Sequence, residues 1–183
     1  VRDRSERRTL KALRERRREA YEEVIDAHYG SVYRLLLFLT RDRSLAEDLT
    51  QDVFASAWAA IHEFRGDASI RTWLHRIAYN AFLDTRRRRE REKKLVATLS
   101  ERPLGMADNP LAGIMADEHL SRVYRALGHL DPDERTMLVL HYVEGLTYRE
   151  MAQVLGRPDG TLKWMINRAL KKLRQRFAGK VGP

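Results

Sequence analysis

The sequence contains no cysteine. That excludes disulfides, thiolate metal sites and thiol catalysis, and it agrees with a reducing interior. No apolar run approaches the roughly 20 residues that a bilayer-crossing helix requires. The first residues are charged, so no secretory signal is visible and a cytoplasmic protein without a membrane span is expected. The six histidines show no HExxH or comparable metal spacing. A phosphate-cradling glycine loop and a GxSxG nucleophile elbow are also missing. The many carboxylates sit at helix starts or exposed flanks, where capping accounts for them. An enzyme is therefore not expected, and neither a catalytic residue, a metal site nor a cofactor is assigned.

What the chain does have is basic charge, unevenly spread. The net charge is +9 over 183 residues. Residues 1–20 hold nine basic and four acidic side chains, residues 86–94 seven and two, and residues 163–180 seven and none. The rest of the chain is net acidic. Three separate cationic blocks on a mildly acidic body point to a polyanion touched at several places. Residues 1–20 lack a clean apolar stripe, so they are expected to be a disordered or marginally helical arm making diffuse electrostatic contact.

Residues 21–39 turn apolar and predict a helix, bent near Gly30. Ser44 followed by Glu47 has the form of a capping box opening the next helix. There Leu49, Val53, Ala57, Ala60 and Phe64 make a core stripe, while Gln51, Phe54, Trp58 and Ile61 fall on a second side beside Glu47, Asp48 and Asp52. Aromatics next to carboxylates either pack on the first helix or anchor a protein partner. Phe64 to Ala68 is a loop broken at Gly66-Asp67. Ser69 then begins a long helix with Ile70, Trp73, Leu74, Ile77, Ala78 and Ala81 as its core stripe. Tyr79 falls opposite that stripe beside Thr72, Arg76 and Leu83, with Asn80 on the flank, just before the run Arg86 to Arg89. Stacking groups beside phosphate-binding charge suit unpaired bases. The plainer alternative packs Tyr79 and Leu83 on a neighbouring helix and leaves the arginines solvated.

Residues 98–116 carry Pro103, Gly105, Asp108-Asn109-Pro110 and Gly113 and are expected to be a flexible linker. Beyond it, Leu120, Val123, Tyr124, Leu127 and Leu130 predict one helix. Asp131-Pro132-Asp133-Glu134 starts another, and Thr147 with Glu150 is a capping box for a third. After the Gly156-Arg157-Pro158 turn, a last helix buries Leu162, Ile166, Ala169, Leu170, Leu173 and Phe177. Its other side presents Lys163, Trp164, Asn167, Arg168 and Lys171. This is a helix-turn-helix plan, whose second helix enters a major groove. Asn167 and Arg168 suit adenine and guanine edges. Lys163, Lys171 and Lys172 suit phosphates, and Trp164 suits thymine methyls or sugars. The fold class is all-α: two small helical domains joined by a flexible linker, the second containing the helix-turn-helix.

These residues resemble the extracytoplasmic-function (ECF) sigma factors of bacterial RNA polymerase. The resemblance rests on Ala46 to Phe54 with Trp58, on Phe64-Arg65-Gly66-Asp67, and on Thr72 to Asn80. In the second half it rests on Leu130 to Arg135, Gly145 to Ala152, and Gly160-Thr161-Leu162-Lys163 with Arg168-Ala169. It implies a region 2 domain over 21–97 and a region 4 domain over 117–179. Region 2 of this family grips the polymerase clamp helices, which implies contacts from Asp48, Gln51, Asp52, Phe54 and Trp58. It also opens the minus-ten element, implying single-strand contacts from Phe64, Arg65, Asp67, Thr72, Trp73, Arg76, Tyr79 and Asn80, with Arg86, Arg87 and Arg88 on phosphates. Region 4 docks on the polymerase flap and reads the minus-thirty-five duplex, implying His141, Arg157, Gly160, Thr161, Lys163, Trp164, Asn167, Arg168 and Lys171. An anti-sigma partner is implied as well. Trp164 and Met165 depart from the family, which usually has a small residue and an arginine there. The competing class is an autonomous helix-turn-helix regulator, which leaves residues 44–80 unexplained. A purely structural protein fits the segregated charge poorly.

Overall fold

The computed structural model describes residues 4–97 and 118–178; the expected linker, 98–116, lies outside them. Every regular element among the described residues is helical. The described residues fall into two compact units, 4–97 and 118–178.

In the first unit α1 (Arg4–Arg14), α2 (Arg18–Thr40), α3 (Arg43–Ala60) and α4 (Ile70–Ala97) follow one another. A single 3-10 turn, Ile61–Glu63, ends the α3 segment. Helices α2, α3 and α4 each pack on the other two. Leu35, Leu36, Leu37, Phe38 and Leu39 are consequently all buried, a run too long for a one-sided amphipathic helix. Gly30 produces no break in the continuous α2. Arg41, at φ 56°, ends α2 in the left-handed region. The cap of α3 is Asp42, whose carboxylate accepts from Leu45 N–H at 3.1 Å. Ser44 does not cap, and Glu47 instead pairs with Arg43 at 2.9 Å.

The basic N-terminal stretch departs from the expected arm. Residues Arg4–Arg14 form a helix that leans on α2 and on the 3-10 turn. Only two leucines seat it, yet Leu10 and Leu13 are 7% and 1% exposed. The helix stops where Arg16 takes φ 54°, its N–H returning to Leu13 O at 2.9 Å.

The second unit contains α5 (Glu118–Leu127), α6 (Pro132–Leu138), α7 (Tyr148–Leu155) and α8 (Asp159–Ala178). Asp131 caps α6 by accepting from Glu134 N–H at 2.8 Å. The buried Arg135 donates to Leu127 O at 3.2 Å, the last carbonyl of α5, and to Leu130 O at 3.1 Å in the turn that follows. A π-helical turn, Val139–Val143, continues α6. Both halves of the Thr147–Glu150 capping box form, and Gly156 closes α7 at φ 64°. Leu162, Ile166 and Ala169 of α8 bury against α6 and α7, as the spacing requires. Val123 is 39% exposed rather than core, and the side chains of Leu120 and Phe177 lie outside the described set.

Leu13→Ala is expected to lower the stability of the first unit by about 2–4 kcal/mol, the range for emptying a fully buried leucine site. Chemical denaturation monitored by circular dichroism measures it; a loss under about 0.5 kcal/mol would mean α1 is not docked in solution.

Candidate nucleic-acid interface

Helix α4 sets up the first surface. Ile70, Thr72, Leu74, His75, Ala78, Tyr79 and Phe82 are buried against α2 and α3. At about 100° per residue these positions span roughly 200° of the helix. What is left outward is a row at three- and four-residue spacing: Trp73, Arg76, Asn80, Asp84, Arg87 and Arg91. Arg76, Asn80, Arg87 and Arg91 are exposed and Trp73 is half-buried. The row extends for about 27 Å at 1.5 Å per residue. Arg91, which continues it, was not singled out from sequence, although its four-residue offset from Arg87 was a usable signal.

At the head of this row lies the loop between the 3-10 turn and α4. Phe64 is buried, its ring 4.7 Å from that of Trp73. Its N–H returns to Ile61 O at 3.2 Å. Ser69 fixes the far end, its hydroxyl accepting from Thr72 N–H at 3.1 Å. Between them Arg65 and Asp67 are exposed, and Gly66 takes φ 82°. An aromatic edge, an amide and spaced cations therefore lie in line beside a short loop with free polar tips, a set that can stack a base, bond its edge and hold phosphates.

Several residues expected at this surface are not on it. Tyr79 is 6% exposed and Thr72 1%, because two neighbouring helices rather than one cover α4. Thr72 spends its hydroxyl on Ser69 at 2.8 Å. The Phe64 ring is likewise interior. The arginine run does not act as a block: Arg86 pairs with Glu90 at 3.0 Å, Arg88 with Glu92 at 2.9 Å and Arg87 with Asp84 at 3.3 Å. Such exposed helical pairs contribute only about 0.3–0.5 kcal/mol, so a phosphate can displace the acid. His75 is fully buried between Arg71 O at 2.8 Å and Ser31 Oγ at 3.1 Å, a satisfied core histidine.

On α3, Asp48, Gln51 and Asp52 are exposed and continue along one ridge into exposed Ala55 and Ala59. Phe54 does not share it. The side chain is 5% exposed and stacks on Tyr29 at 6.0 Å. Its carbonyl accepts the Tyr21 hydroxyl. Trp58 is half-buried, 4.5 Å from the Tyr21 ring. Burial pushes the Tyr21 phenol pKa up.

In the second unit, α8 presents Gly160, Thr161, Lys163, Trp164, Asn167, Arg168 and Lys171, all exposed. Trp164 is 60% exposed, with the Arg168 guanidinium 5.4 Å from the centre of its ring. Lys163 lies 5.8 Å from the Tyr148 ring, which in turn sits 4.8 Å from His141. His141 Nδ1 donates to Leu146 O at 2.8 Å and so closes the turn before α7. Two cations have scaffold duties. Arg157 donates to Asp133 at 2.6 Å and to Met165 Sδ at 3.3 Å. Lys172, which the sequence offered to phosphates, pairs with Glu134, itself 4% exposed.

Among the described residues no group of three or more histidines and carboxylates could hold a metal. No described helix is long and apolar enough to cross a membrane.

Comparison with known proteins places both units. Residues 24–92 match the model of Sigma-70 region 2, and residues 120–173 match that of Sigma-70, region 4. The RNA polymerase sigma-H factor of Pseudomonas aeruginosa is 31% identical over 160 residues, covering 83% of each chain. The ECF RNA polymerase sigma factor SigM of Bacillus subtilis is 28% identical, over 84% of this chain and 92% of its own. Among solved structures, the sigma factor RpoE of Bartonella quintana, crystallised with the anti-sigma factor NepR, superposes with a TM-score of 0.71 at 24% identity. That match covers 89% of this chain and 98% of the other, and it speaks to the fold.

Lys172→Ala is expected to destabilise the second unit by about 1–3 kcal/mol, since it strands a buried carboxylate whose partner was itself half-exposed. It should leave the salt dependence of duplex binding unchanged, whereas Lys171→Ala should reduce the slope by about one. Thermal melting and binding titrations at several salt concentrations check both; a reduced slope for Lys172→Ala would return that lysine to the phosphates.

Proposed function

We propose, for a chain that belongs to the extracytoplasmic-function sigma factors of bacterial RNA polymerase, that the two surfaces divide promoter recognition between them. The observation that carries this reading is that one chain matches Sigma-70 region 2 and then region 4, each with its own exposed row of aromatic, polar and cationic side chains. The domain bounds are those drawn from sequence: region 2 over 21–97, a linker over 98–116 and region 4 over 117–179.

In region 2 the ridge of Asp48, Gln51 and Asp52, with the edge of Trp58, faces the polymerase clamp helices. Ala55 and Ala59 lack bulk and allow a partner helix to approach closely. The loop Arg65 to Asp67, with Trp73 and Asn80, receives a base extruded from the minus-ten element. Arg76, Arg87 and Arg88 follow the strand's phosphates, and Arg86 acts from the side of the helix. Extrusion costs a few kcal/mol, so the receiving groups must be held in place beforehand. Thr72, Tyr79 and Phe64 contribute by holding the helix and the loop root. Phe54 likewise acts from beneath the clamp-facing ridge.

In region 4, α8 enters the major groove of the minus-thirty-five element. Asn167 and Arg168 read base edges, Lys163 and Lys171 hold phosphates, and Gly160 and Thr161 let the backbone approach at the helix start. His141 and Arg157 shape the turns on either side of α7. The chain catalyses no reaction; it gives the polymerase its address in the cytoplasm, and an anti-sigma factor holds it inactive.

Transcription with purified core polymerase tests the whole reading. Initiation at discrete start sites only when the chain is added supports it; tight operator binding with no effect on initiation would favour an autonomous regulator. Within that assay Asn80→Ala is expected to slow strand opening about tenfold, the worth of one buried hydrogen bond, with core affinity unchanged. Equal loss of both would remove Asn80 from base capture. Trp164 meets a thymine methyl, the one apolar group on the major-groove edges. Replacing that thymine by deoxyuridine should weaken the wild-type complex about fourfold, near the value of one methyl group. The Trp164→Ala complex should be indifferent to the change; an equal response from both would send Trp164 to the sugars.

A further inference from the structure

We propose that Arg14 is a positioning residue for the loop that receives the extruded base, and that α1 is the strut that carries it. The proposal rests on the reading of residues 64–69 as that loop. Arg14 Nη2 donates to Phe64 O at 2.7 Å, across 50 positions of sequence. The bonded oxygen belongs to the planar peptide unit that joins Phe64 to Arg65, so fixing it also fixes the Arg65 N–H and the direction in which the chain leaves.

Phe64 is thereby held three ways. Its ring lies on Trp73, its N–H bonds Ile61 O, and its carbonyl takes the guanidinium. Ser69 is held at the other end through Thr72. Only residues 65–68 span the gap, with Gly66 in the left-handed region. A loop this short, fixed at both roots, has few conformations open to it. The bond to Phe64 O is charge-assisted, the stronger class of hydrogen bond.

The strut is itself anchored. Leu10 and Leu13 are buried, and the turn after α1 is closed by Arg16 N–H to Leu13 O at 2.9 Å and Arg17 N–H to Ala12 O at 3.0 Å. Arg14 therefore approaches the loop from a fixed helix. Its side chain lies largely at the surface, so its removal does not open the core.

An arginine in a basic segment has a simpler use, neutralising a phosphate. The two uses leave different marks. A lost phosphate contact weakens binding to all sequences alike and lowers the salt slope by about one. A loosened loop root lowers the preference for one base and leaves the slope alone.

The test uses holoenzyme assembled from the full chain and core polymerase, on promoters selected from a random pool. Labelled non-template oligonucleotides carry each of the four bases at the captured position. Affinities are measured at several salt concentrations for wild type, Arg14→Ala and Arg14→Lys. Arg14→Ala is expected to cut discrimination between the preferred base and the others about five- to tenfold. Its salt slope and core affinity should match wild type, and its melting temperature should fall slightly, as loss of one folded-state hydrogen bond requires. Arg14→Lys should recover part of the loss, since an ammonium also donates to a carbonyl. A uniform loss over the four bases with a lower slope would overturn the proposal in favour of a phosphate contact, and unchanged discrimination would overturn it outright. If wild-type holoenzyme shows no base preference at any single-stranded position, the loop reading itself fails and the proposal falls with it. That result is distinct, because it appears before any substitution is made.

Discussion

Helical phase along α4 is the constraint on which the rest of the first unit depends. A helix turns about 100° per residue, so once some positions are buried the others have no freedom. Burying Ile70, Leu74, Ala78 and Phe82 between α2 and α3 obliges Trp73, Arg76, Asn80 and Arg87 to share the remaining strip. The core does more than stabilise: it aims the surface proposed to meet nucleic acid. Because α4 continues without interruption to Ala97, cations set one helical turn and more beyond the core stay in register with the aromatic at its head.

The second unit reaches a comparable end by spending charge on itself. Glu134 is buried and would destabilise the unit if left unpaired. Lys172 answers it, and Arg157 is committed to Asp133 in the same way. Both cations come from the turn and second helix of the helix-turn-helix, so the pairs tie that element to α6. Only what is left on the outer side of α8 is free for a polyanion. A count of basic residues therefore overstates the number of phosphate contacts, here and along residues 86–92, where each of three arginines has an acid one turn away.

Local features were legible in the sequence and long-range ones were not. The caps at Asp131 and Thr147 could be read because donor and acceptor lie three residues apart. Ser44 misled because Asp42, two residues earlier, offers a carboxylate with the same reach. The stripe drawn on α4 from Ile70, Trp73, Leu74, Ile77, Ala78 and Ala81 was centred about a quarter turn from the observed one. Periodicity weighs apolar residues equally, but packing by two helices drew Thr72, His75 and Tyr79 inward and left Trp73 half out. Helix α1 was obscured for a related reason: two leucines among so many charges give little periodic signal, although they suffice when a neighbouring surface waits for them. The bond from Arg14 to Phe64 has no sequence signal, since nothing local links positions 50 residues apart.

The two surfaces answer different physical demands. Duplex DNA presents its phosphates and groove edges already arranged, so charge can supply affinity and a few side chains on one helix can supply choice. A base taken out of the stack brings no such order, and the enthalpy of receiving it must exceed the cost of unstacking. A loose receptor would add its own ordering entropy to that cost. On the proposed reading the first unit meets this demand by fixing its loop at both roots and by carrying the remaining contacts on a rigid helix. Even the turn that brings α1 into place uses Arg16 in a left-handed conformation, a strain of about 1–2 kcal/mol for a residue with a Cβ. Burial of Leu10 and Leu13 offsets it. Strain held in place by packing is what an over-determined scaffold looks like, and a single-strand receptor is where a scaffold of that kind is needed.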